Sequence, residues 1–349
     1  MSHSPGPVVV TARARTDLGR TRDHNEDAFL VADLTARTVD LTNGGPHRVG
    51  ERGILFLVAD GMGGAAAGEL ASSMAADLIF RHMLESWSTE ADVSPERFIR
   101  HLRTAVEQAN DRIHLYSREH PDVRGMGTTA TVAGVLDGCL YLAQVGDSRA
   151  YLVRGGVATQ LTKDQSLMQR LVDAGELTEE EAEHSERRNI ILQALGPDAR
   201  IRVDLTFQPL HRGDTLVICS DGLSGQVKRE EIPALLKDNA DLDTVCSQLI
   251  TMANERGGPD NITVVVARFA GEGLPAPSDS GEVGYHVYPT DEPDSGEIPA
   301  LMSPQPPVVT PPTVEAPLPA RRNGSPVTMA LVGIGILACL FGLYLLLRR

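Results

Sequence analysis

One short stretch limits the possible folds more than any other part of the chain: an apolar run that stops at an aspartate and a group of glycines. The run Ile54 to Ala59 ends at Asp60, and glycines follow at positions 61, 63 and 64. A short apolar run bounded by glycines predicts a buried strand that enters a tight turn. Glycines let the backbone approach whatever the Asp60 carboxylate binds. On this stretch alone, an ordinary strand-to-helix turn and a ligand site are equally good interpretations.

The same arrangement recurs along the chain. Asp147, Asp221 and Asp260 each stand at a predicted strand edge beside a glycine or a turn, and Glu26 and Asp27 form a pair near the N-terminus. Taken singly, each acid is more often a turn residue than a ligand. Carboxylates gathered at one end of a sheet repel one another unless cations lie among them. Oxygen ligands without His or Cys favour hard ions, Mg²⁺ or Mn²⁺.

Such a set of acids predicts phosphoryl chemistry. Two cations that share a carboxylate can hold a bridging water, lower its pKa and orient it for in-line attack on phosphorus. An arginine close by would bind the phosphate oxygens as a bidentate fork. Arg20, Arg22 and Arg149 are the candidates.

The order of predicted elements indicates the fold class. Strands come in runs and helices come in pairs between them, for example at residues 68–84 and 95–113, without regular alternation of strand and helix. This order predicts an α+β domain with mostly antiparallel sheets covered by helices. Thr178 and Glu181 form a capping-box pattern for a short helix.

Charge and cysteine usage exclude some classes of protein. The formal net charge is −15, which argues against nucleic acid as a partner because phosphate backbones need a basic face. The four cysteines are far apart without a CxxC pair, so neither a disulfide framework nor a zinc site is predicted.

The composition changes after Ala270. Residues 271–326 hold 13 of the 22 prolines and eight acids, which predicts a disordered, Pro-rich acidic linker. Residues 327–347 then carry no charge over 21 positions, enough for a transmembrane helix. No export signal is evident at the N-terminus, so we expect a single-pass C-terminal anchor with the preceding domain, residues 8–270, in the cytoplasm.

Six motifs make a resemblance to one family plain. In chain order they are RDHNED (22–27), VADGMGG (58–64), GMGTT (125–129), VGDSRAY (145–151), SDGL (220–223) and GPDNIT (258–263). The chain resembles the metal-dependent serine/threonine protein phosphatases of type 2C in their bacterial form. The resemblance implies a sandwich of two antiparallel β-sheets flanked by helices over residues 8–270.

The resemblance also implies a role for each matching residue at a centre of two Mn²⁺ or Mg²⁺ ions. Asp60 would bridge the two metals, the Gly61 carbonyl would bind one of them, and Asp221 and Asp260 would complete the other. Asp147 matches the acid that binds a third, weaker metal.

The remaining matches lie around that centre. Glu26 and Asp27 would act largely through metal-bound waters, and Arg22 would grip the substrate phosphate. Residues 162–196, here called the flap segment, match the bacterial flap beside the site. Met62 stands where animal members carry a histidine proposed as general acid, which leaves the proton donor open.

The implied function is hydrolysis of phosphoserine and phosphothreonine on proteins by a metal-bound water, opposing Ser/Thr kinases near the membrane. Two alternatives stay open at this point. One is a catalytically weak module that binds phosphoproteins at the membrane, and the other is a phosphatase for a small phosphorylated metabolite. The retained acids Asp60, Asp221 and Asp260 favour an active enzyme.

Overall fold

Two antiparallel β-sheets pack face to face, and helices cover the outer face of each sheet. The computed structural model describes residues 6–276 and 282–289. The strands in this part of the chain are β1 (Val9–Asp17), β2 (Asp27–Asp33), β3 (Thr38–Val39), β4 (His47–Arg48), β5 (Ile54–Met62), β6 (Gly127–Thr128), β7 (Ala130–Leu136), β8 (Cys139–Val145), β9 (Arg149–Arg154), β10 (Val157–Gln160), β11 (Asp204–Pro209), β12 (Thr215–Cys219) and β13 (Ile262–Ala270).

The described helices are α1 (Ala65–Glu85), α2 (Pro95–Glu119), α3 (Leu167–Asp173), α4 (Glu179–Glu183), α5 (Asp221–Ser224), α6 (Ile232–Asp238) and α7 (Leu242–Glu255). One sheet has the strand order β10-β9-β12-β13-β1-β4. The other has the order β11-β8-β7-β5-β2-β3, and β6 pairs with β5 beside it. The predicted α+β sandwich is therefore confirmed.

The predicted central strand lies where its apolar composition requires. The six residues from Ile54 to Ala59 are fully buried, because β5 is covered by α1 on one face and by the second sheet on the other. The strand continues through Asp60 to Met62, so the aspartate belongs to a rigid element. A carboxylate in this position costs little conformational entropy to orient.

Aromatic rings run in a row from α2 into the sheet below it. Trp87 contacts Phe98 with ring centroids 5.1 Å apart, Phe98 contacts Tyr141 at 5.8 Å, and Tyr141 contacts Tyr288 at 6.1 Å. Edge-on ring pairs of this kind add to the stabilisation from apolar burial. The row is possible because residue 134 of β7 is glycine: a β-carbon there would overlap the Phe98 ring.

Residues 282–289, here called the edge segment, lie against β11. Thr206 and Val287 form an antiparallel bridge, and Tyr288 is half-buried against the helix-covered core. The sequence assigned this segment to the linker because prolines and acids surround it, yet its aromatic residues find apolar contacts on the sheet. The domain limits at residues 8, 270 and 326 stay predictions.

The predicted membrane span, residues 327–347, lies outside the described residues. Within residues 6–276 and 282–289, none of the helices combines the length and the apolar composition that a span needs.

Candidate metal centre

Asp60 and Asp27 face each other across two paired strands. They are direct partners in the antiparallel register of β5 and β2. The Asp60 backbone is held on both sides: its N–H donates to Thr129 Oγ1 at 2.9 Å, and its carbonyl accepts from the Thr129 N–H at 2.8 Å and from Thr128 Oγ1 at 2.9 Å. The two aspartates are therefore brought together by strand pairing, which is insensitive to side-chain conformation.

Asp221 and Asp260 come from the other sheet. Asp221 follows β12 and begins α5, while Asp260 precedes β13. Because β12 and β13 are antiparallel neighbours, the end of one lies beside the start of the other, and the Ser220 N–H donates to the Thr263 carbonyl at 3.1 Å. The two sheets thus deliver their acids to the same end of the sandwich.

Ser220 links the acids of the two sheets. Its hydroxyl donates to Asp27 Oδ2 at 2.8 Å and accepts from the Thr263 N–H at 3.0 Å. Among the described residues, the other carboxylate oxygen, Asp27 Oδ1, is buried and has no hydrogen-bond partner. A buried acceptor in this condition is costly unless a cation or a proton satisfies it.

Asn261 fixes the N-terminal acidic pair. Its Oδ1 accepts from the Glu26 N–H at 2.8 Å, and its Nδ2 donates to the carbonyls of Leu18 at 3.1 Å and His24 at 2.9 Å. Ser220 and Asn261 were not among the predicted site residues. Both stand directly beside a predicted acid in the SDGL and GPDNIT motifs, which was the available signal.

Two glycines allow the close approach of backbone and carboxylate. The Gly61 N–H donates to the Glu26 carbonyl at 3.1 Å, and a β-carbon on Gly61 would overlap that carbonyl. A β-carbon on Gly68 would overlap the Glu26 carboxylate. Glycine at these two positions is therefore required for Glu26 to lie beside the turn that follows Asp60.

The acids raise one another's pKa values. Burial raises the pKa of Asp60 well above its usual range, and the nearby carboxylates of Asp27, Asp221, Asp147 and Asp260 raise it further. Five carboxyl groups are thus close enough to interact in one region, which is unfavourable when all of them are ionised. A divalent cation would remove the conflict.

Burial also raises the pKa values of the other acids in this group. Burial raises the pKa of Asp27 to about 7, against the hydrogen bond from the Ser220 hydroxyl, which lowers it. Burial and then Asp260 raise the pKa of Asp221 to about 6. Burial raises the pKa of Glu26, and Arg22 lowers it.

Asp147 is 6% exposed, and its Oδ1 is buried with no hydrogen-bond partner in the part of the chain that the structure describes. Burial, Asp221 and Asp164 raise its pKa to about 8, while Arg149 lowers it. This acid lies where β8 turns into β9, close enough to Asp221 and Asp60 to interact with their carboxyl groups.

The three candidate arginines differ in availability. Arg22 Nη2 lies 2.8 Å from Asp260 Oδ2 with half of its side chain exposed, so further guanidinium donors can meet a phosphate. Arg149 is committed to Asp164, with contacts of 2.7 and 3.0 Å. Arg20 anchors the loop by its backbone, whose N–H donates to the Gly258 carbonyl at 2.7 Å.

The donor set fits Mg²⁺ or Mn²⁺: the acids are oxygen ligands, two of their buried oxygens lack partners, and they repel one another. Among the described residues, no group of three or more His, Cys, Asp or Glu side chains is arranged so that it could hold a metal ion. One reason is that Asp260 is turned towards Arg22 and towards the Asn261 N–H, at 2.8 Å each. The assigned ligand roles stay predictions.

Comparison with known proteins decides the family. The family profile described as "Protein phosphatase 2C" matches residues 42–264. The chain belongs to the protein phosphatase 2C family. This membership confirms the prediction that the chain is an enzyme of the phosphatase class and carries the predicted fold.

Named relatives of this phosphatase 2C chain agree. The serine/threonine phosphatase stp of Listeria monocytogenes is 39% identical over 256 residues, which are 73% of this chain and 94% of the relative. The structure of the serine/threonine phosphatase Stp1 from Staphylococcus aureus matches with a TM-score of 0.66 at 32% identity, covering 77% of this chain and 98% of that one.

A third relative carries metal. The catalytic domain of the serine/threonine protein phosphatase PstP, solved in complex with two manganese ions, matches this phosphatase 2C chain with a TM-score of 0.61 at 35% identity. The match covers 75% of this chain and 99% of that domain. A Mn²⁺ or Mg²⁺ cofactor therefore fits the family.

Proposed function

We propose that this chain hydrolyses phosphoserine and phosphothreonine in proteins at a centre of two Mn²⁺ or Mg²⁺ ions, with a third ion at Asp147. The observation that carries the proposal is the group of buried, mutually repelling carboxylates around Asp60. Supporting it, relatives across most of the chain are named serine/threonine phosphatases, and one of them is solved with two manganese ions.

Within this proposal, Asp60 would lie between the two metals, with the Gly61 carbonyl on one and with Asp221 and Asp260 on the other. When bound, the metal pair supplies a water of lowered pKa and neutralises charge on the phosphoryl group. Ser220 keeps the Asp27 carboxylate oriented by donating to its Oδ2. The pairing of β2 with β5 fixes the backbones of Asp27 and Asp60 opposite each other.

Arg22 would bind the substrate phosphate. Its guanidinium carries five N–H donors in a fixed fork, of which one nitrogen is engaged with Asp260. That salt bridge orients the side chain over the acid group while leaving donors for phosphate oxygens. Asp27 and Glu26 lie on the inner side of the same region, where they would hold and orient water rather than touch the substrate.

The decisive experiment is phosphate release from a phosphothreonine peptide with and without Mn²⁺. We expect turnover with the ion, loss in excess EDTA, and a loss of several orders of magnitude in Asp60→Asn or Asp221→Asn. Asp243→Asn is the matched control. Asp243 is an exposed acid on helix α7 and forms a salt bridge with Arg15 of β1. Full turnover in EDTA would contradict the proposal.

The same assay separates the two alternatives. A phosphoprotein-binding module would retain the phosphopeptide without releasing phosphate. A metabolite phosphatase would hydrolyse small phosphate esters with a much higher kcat/KM than the peptide. A higher kcat/KM for the peptide supports a protein substrate, such as a Ser/Thr kinase or a substrate of such a kinase.

We further propose that residues 327–347 anchor the protein in a membrane, with the phosphatase domain on the cytoplasmic side. Twenty-one positions without charge support the anchor. The free, buried thiols of Cys219 and Cys246 support a reducing compartment. Deletion of residues 327–347 should move the protein from the membrane fraction to the soluble fraction. Digestion of the domain by protease added outside intact spheroplasts would exclude the orientation.

A further inference from the structure

The edge segment extends a sheet at its open side. β11 is the outermost strand of its sheet, and an uncovered edge strand presents unpaired N–H and C=O groups. The Phe207 N–H donates to the His286 carbonyl, and the Tyr288 N–H donates to the Leu205 carbonyl, each at 2.9 Å. These two bonds flank the bridge between Thr206 and Val287, so the segment is added as a short antiparallel strand.

The side chains of the edge segment alternate as a strand requires. Val287 points outward and is 62% exposed. Tyr288 points inward, with its ring 5.8 Å from Phe207 and 6.1 Å from Tyr141. His286, two positions before Tyr288, contacts Phe207 at 6.2 Å. The contact is therefore specific in register and covers apolar rings that would otherwise face water.

Arg202, two residues before β11, connects this edge to the flap segment. Its carbonyl accepts from Gln165 Nε2 at 3.3 Å, and its N–H donates to Gln193 Oε1 at 2.7 Å. Gln165 lies near the start of the flap segment and Gln193 near its end. The Leu192 N–H also donates to the Gln165 carbonyl at 2.8 Å. The two ends of the flap segment, here called the flap stalks, thus both form hydrogen bonds with the backbone of Arg202, just before β11.

Gln165 also contacts the acid centre. It exchanges two hydrogen bonds with Gly146, one from its own N–H to the Gly146 carbonyl and one from the Gly146 N–H to its Oε1, each at 2.9 Å. Gly146 directly precedes Asp147. Hydrogen bonds therefore connect the edge segment, through β11, Arg202 and the flap stalks, to Gly146, which directly precedes Asp147 of the acid group.

We propose that the edge segment belongs to the catalytic domain. Its docking on β11 holds the flap segment in the position that binds the phosphoprotein substrate. This rests on the proposed function only for its kinetic consequence. Loss of docking loosens the start of β11 and frees the two stalks. Substrate affinity then falls while the acid group, held by other strands, keeps its arrangement.

Full-length Tyr288→Ala tests the proposal, with Tyr288→Phe as the conservative rescue and Val287→Ala as the matched control on the outward side. We expect Tyr288→Ala to lower Tm by about 5 °C, since two ring contacts are lost. Trypsin should cut after the exposed Arg187 and Arg188 of the flap segment at least about three times faster. Tyr288→Phe and Val287→Ala should behave as the parent chain.

Kinetics supply the second readout. Tyr288→Ala should raise KM for the phosphothreonine peptide about threefold with kcat nearly unchanged, and internal deletion of residues 282–289 should exaggerate both effects. If the deletion left cleavage of the flap segment and KM as in the parent chain, the proposal would be overturned. The cleavage assay needs no enzymatic activity, so a chain without phosphatase activity would refute the proposed function and still test the edge segment.

Discussion

The hydroxyl of Ser220 joins the two halves of the acid centre, because it contacts Asp27 on one sheet and the Thr263 N–H on the other. Ser220→Ala leaves that buried N–H unpaired, at a cost of about 1–3 kcal/mol. It also removes a bond that lowers the pKa of Asp27, so this pKa rises further. We therefore expect the midpoint of Mn²⁺ binding to move to higher pH.

Calorimetric Mn²⁺ titrations between pH 5.5 and pH 8 would measure that shift. Ser117→Ala is the control, because Ser117 is also buried, accepts from the Gly125 N–H at 2.9 Å and touches no carboxylate. If the pH midpoint of Mn²⁺ binding shifted equally in Ser117→Ala, Ser220 would influence Mn²⁺ binding only through the stability of the fold.

Arg22 lies beside both the substrate region and a predicted ligand. Arg22→Ala should raise KM about tenfold or more, since charge-assisted hydrogen bonds to phosphate are lost. Arg22→Lys should recover part of the affinity, because it keeps the charge and loses the fork. The salt bridge to Asp260 predicts a small change in Mn²⁺ affinity as well.

Steady-state kinetics and metal titration of the same preparations separate the two effects. Arg15→Ala is the matched control, since Arg15 makes a similar exposed salt bridge with Asp243 at 2.6 Å. An unchanged KM in Arg22→Ala would remove Arg22 from the phosphate site.

At the level of single residues, the sequence identified acids better than their partners. Asp27, Asp60 and Asp221 are recognisable because each stands next to a predicted apolar strand within a motif. Ser220 and Asp27 are 193 positions apart, and their contact depends on how two sheets pack. No local pattern carries that information, so the hydrogen bonds that orient the acids emerged only from the fold.

Among the elements, the short helix α4 offers a direct test of local stability in the flap segment. Thr178 caps it by accepting from the Glu181 N–H, and Glu181 Oε2 accepts from the Thr178 N–H at 2.8 Å. Thr178→Ala should cost about 1 kcal/mol locally. Because α4 is exposed, we expect faster tryptic cleavage after Arg188 with almost no change in global Tm.

Mass spectrometry of timed digests would follow the cleavage, and Glu179→Gln, on the same helix but outside the capping box, is the control. A fall of several degrees in Tm for Thr178→Ala would show that the flap segment is part of the global folding unit.

Elements with strong periodicity were predicted well. The apolar stripe of α2, from Phe98 to Ile113, is buried as expected, and the capping box of α4 is confirmed. The turn at residues 154–156 predicts a hairpin, and β10 follows it and pairs with β9. The charged residues 228–231 predict a helix start, and α6 begins directly after them at Ile232. The alternation of apolar and polar residues at positions 201–207 predicts a strand there. The strand begins three residues later, at Asp204, since Arg202 binds the two ends of the flap segment instead.

For the whole molecule, the raised pKa values predict how stability depends on pH. Asp221, Asp27 and Asp147 have pKa values of about 6, 7 and 8 in the folded state, above the value near 3.9 of an unfolded chain. The folded state therefore holds protons that the unfolded state releases. The metal-free protein should lose stability as pH rises from about 5 to about 8.

Thermal melts in EDTA and in Mn²⁺ would test this dependence. Mn²⁺ needs the ionised carboxylates, so its stabilising effect should grow over the same pH range. Asp147→Asn should flatten the pH dependence in EDTA, while Asp243→Asn, at an exposed acid, should not. A metal-free protein whose Tm rises from pH 5 to pH 8 would contradict the prediction.

The topology of the whole molecule could not be read from local patterns. β1 pairs with β13 along nine residues, from the couple Val9 and Ala270 to the couple Asp17 and Ile262, and nothing near either strand predicts that pairing. The sandwich was expected only because six ordered motifs resemble a family. The order of predicted elements indicated an α+β domain, and the resemblance to the family predicted that its two sheets form a sandwich flanked by helices.

The aromatic row makes the domain its own optical probe. Trp87 is the only tryptophan of the chain; it is fully buried, and its indole N–H donates to the Arg52 carbonyl at 2.9 Å. Its emission therefore comes from a single environment and shifts to the red when that environment opens to water. Tyr288 stands at the far end of the row, so the energy that this tyrosine absorbs is transferred to the indole less efficiently once its ring moves away. Comparing emission after tyrosine and tryptophan excitation would show whether undocking of the edge segment precedes global unfolding, without any attached dye.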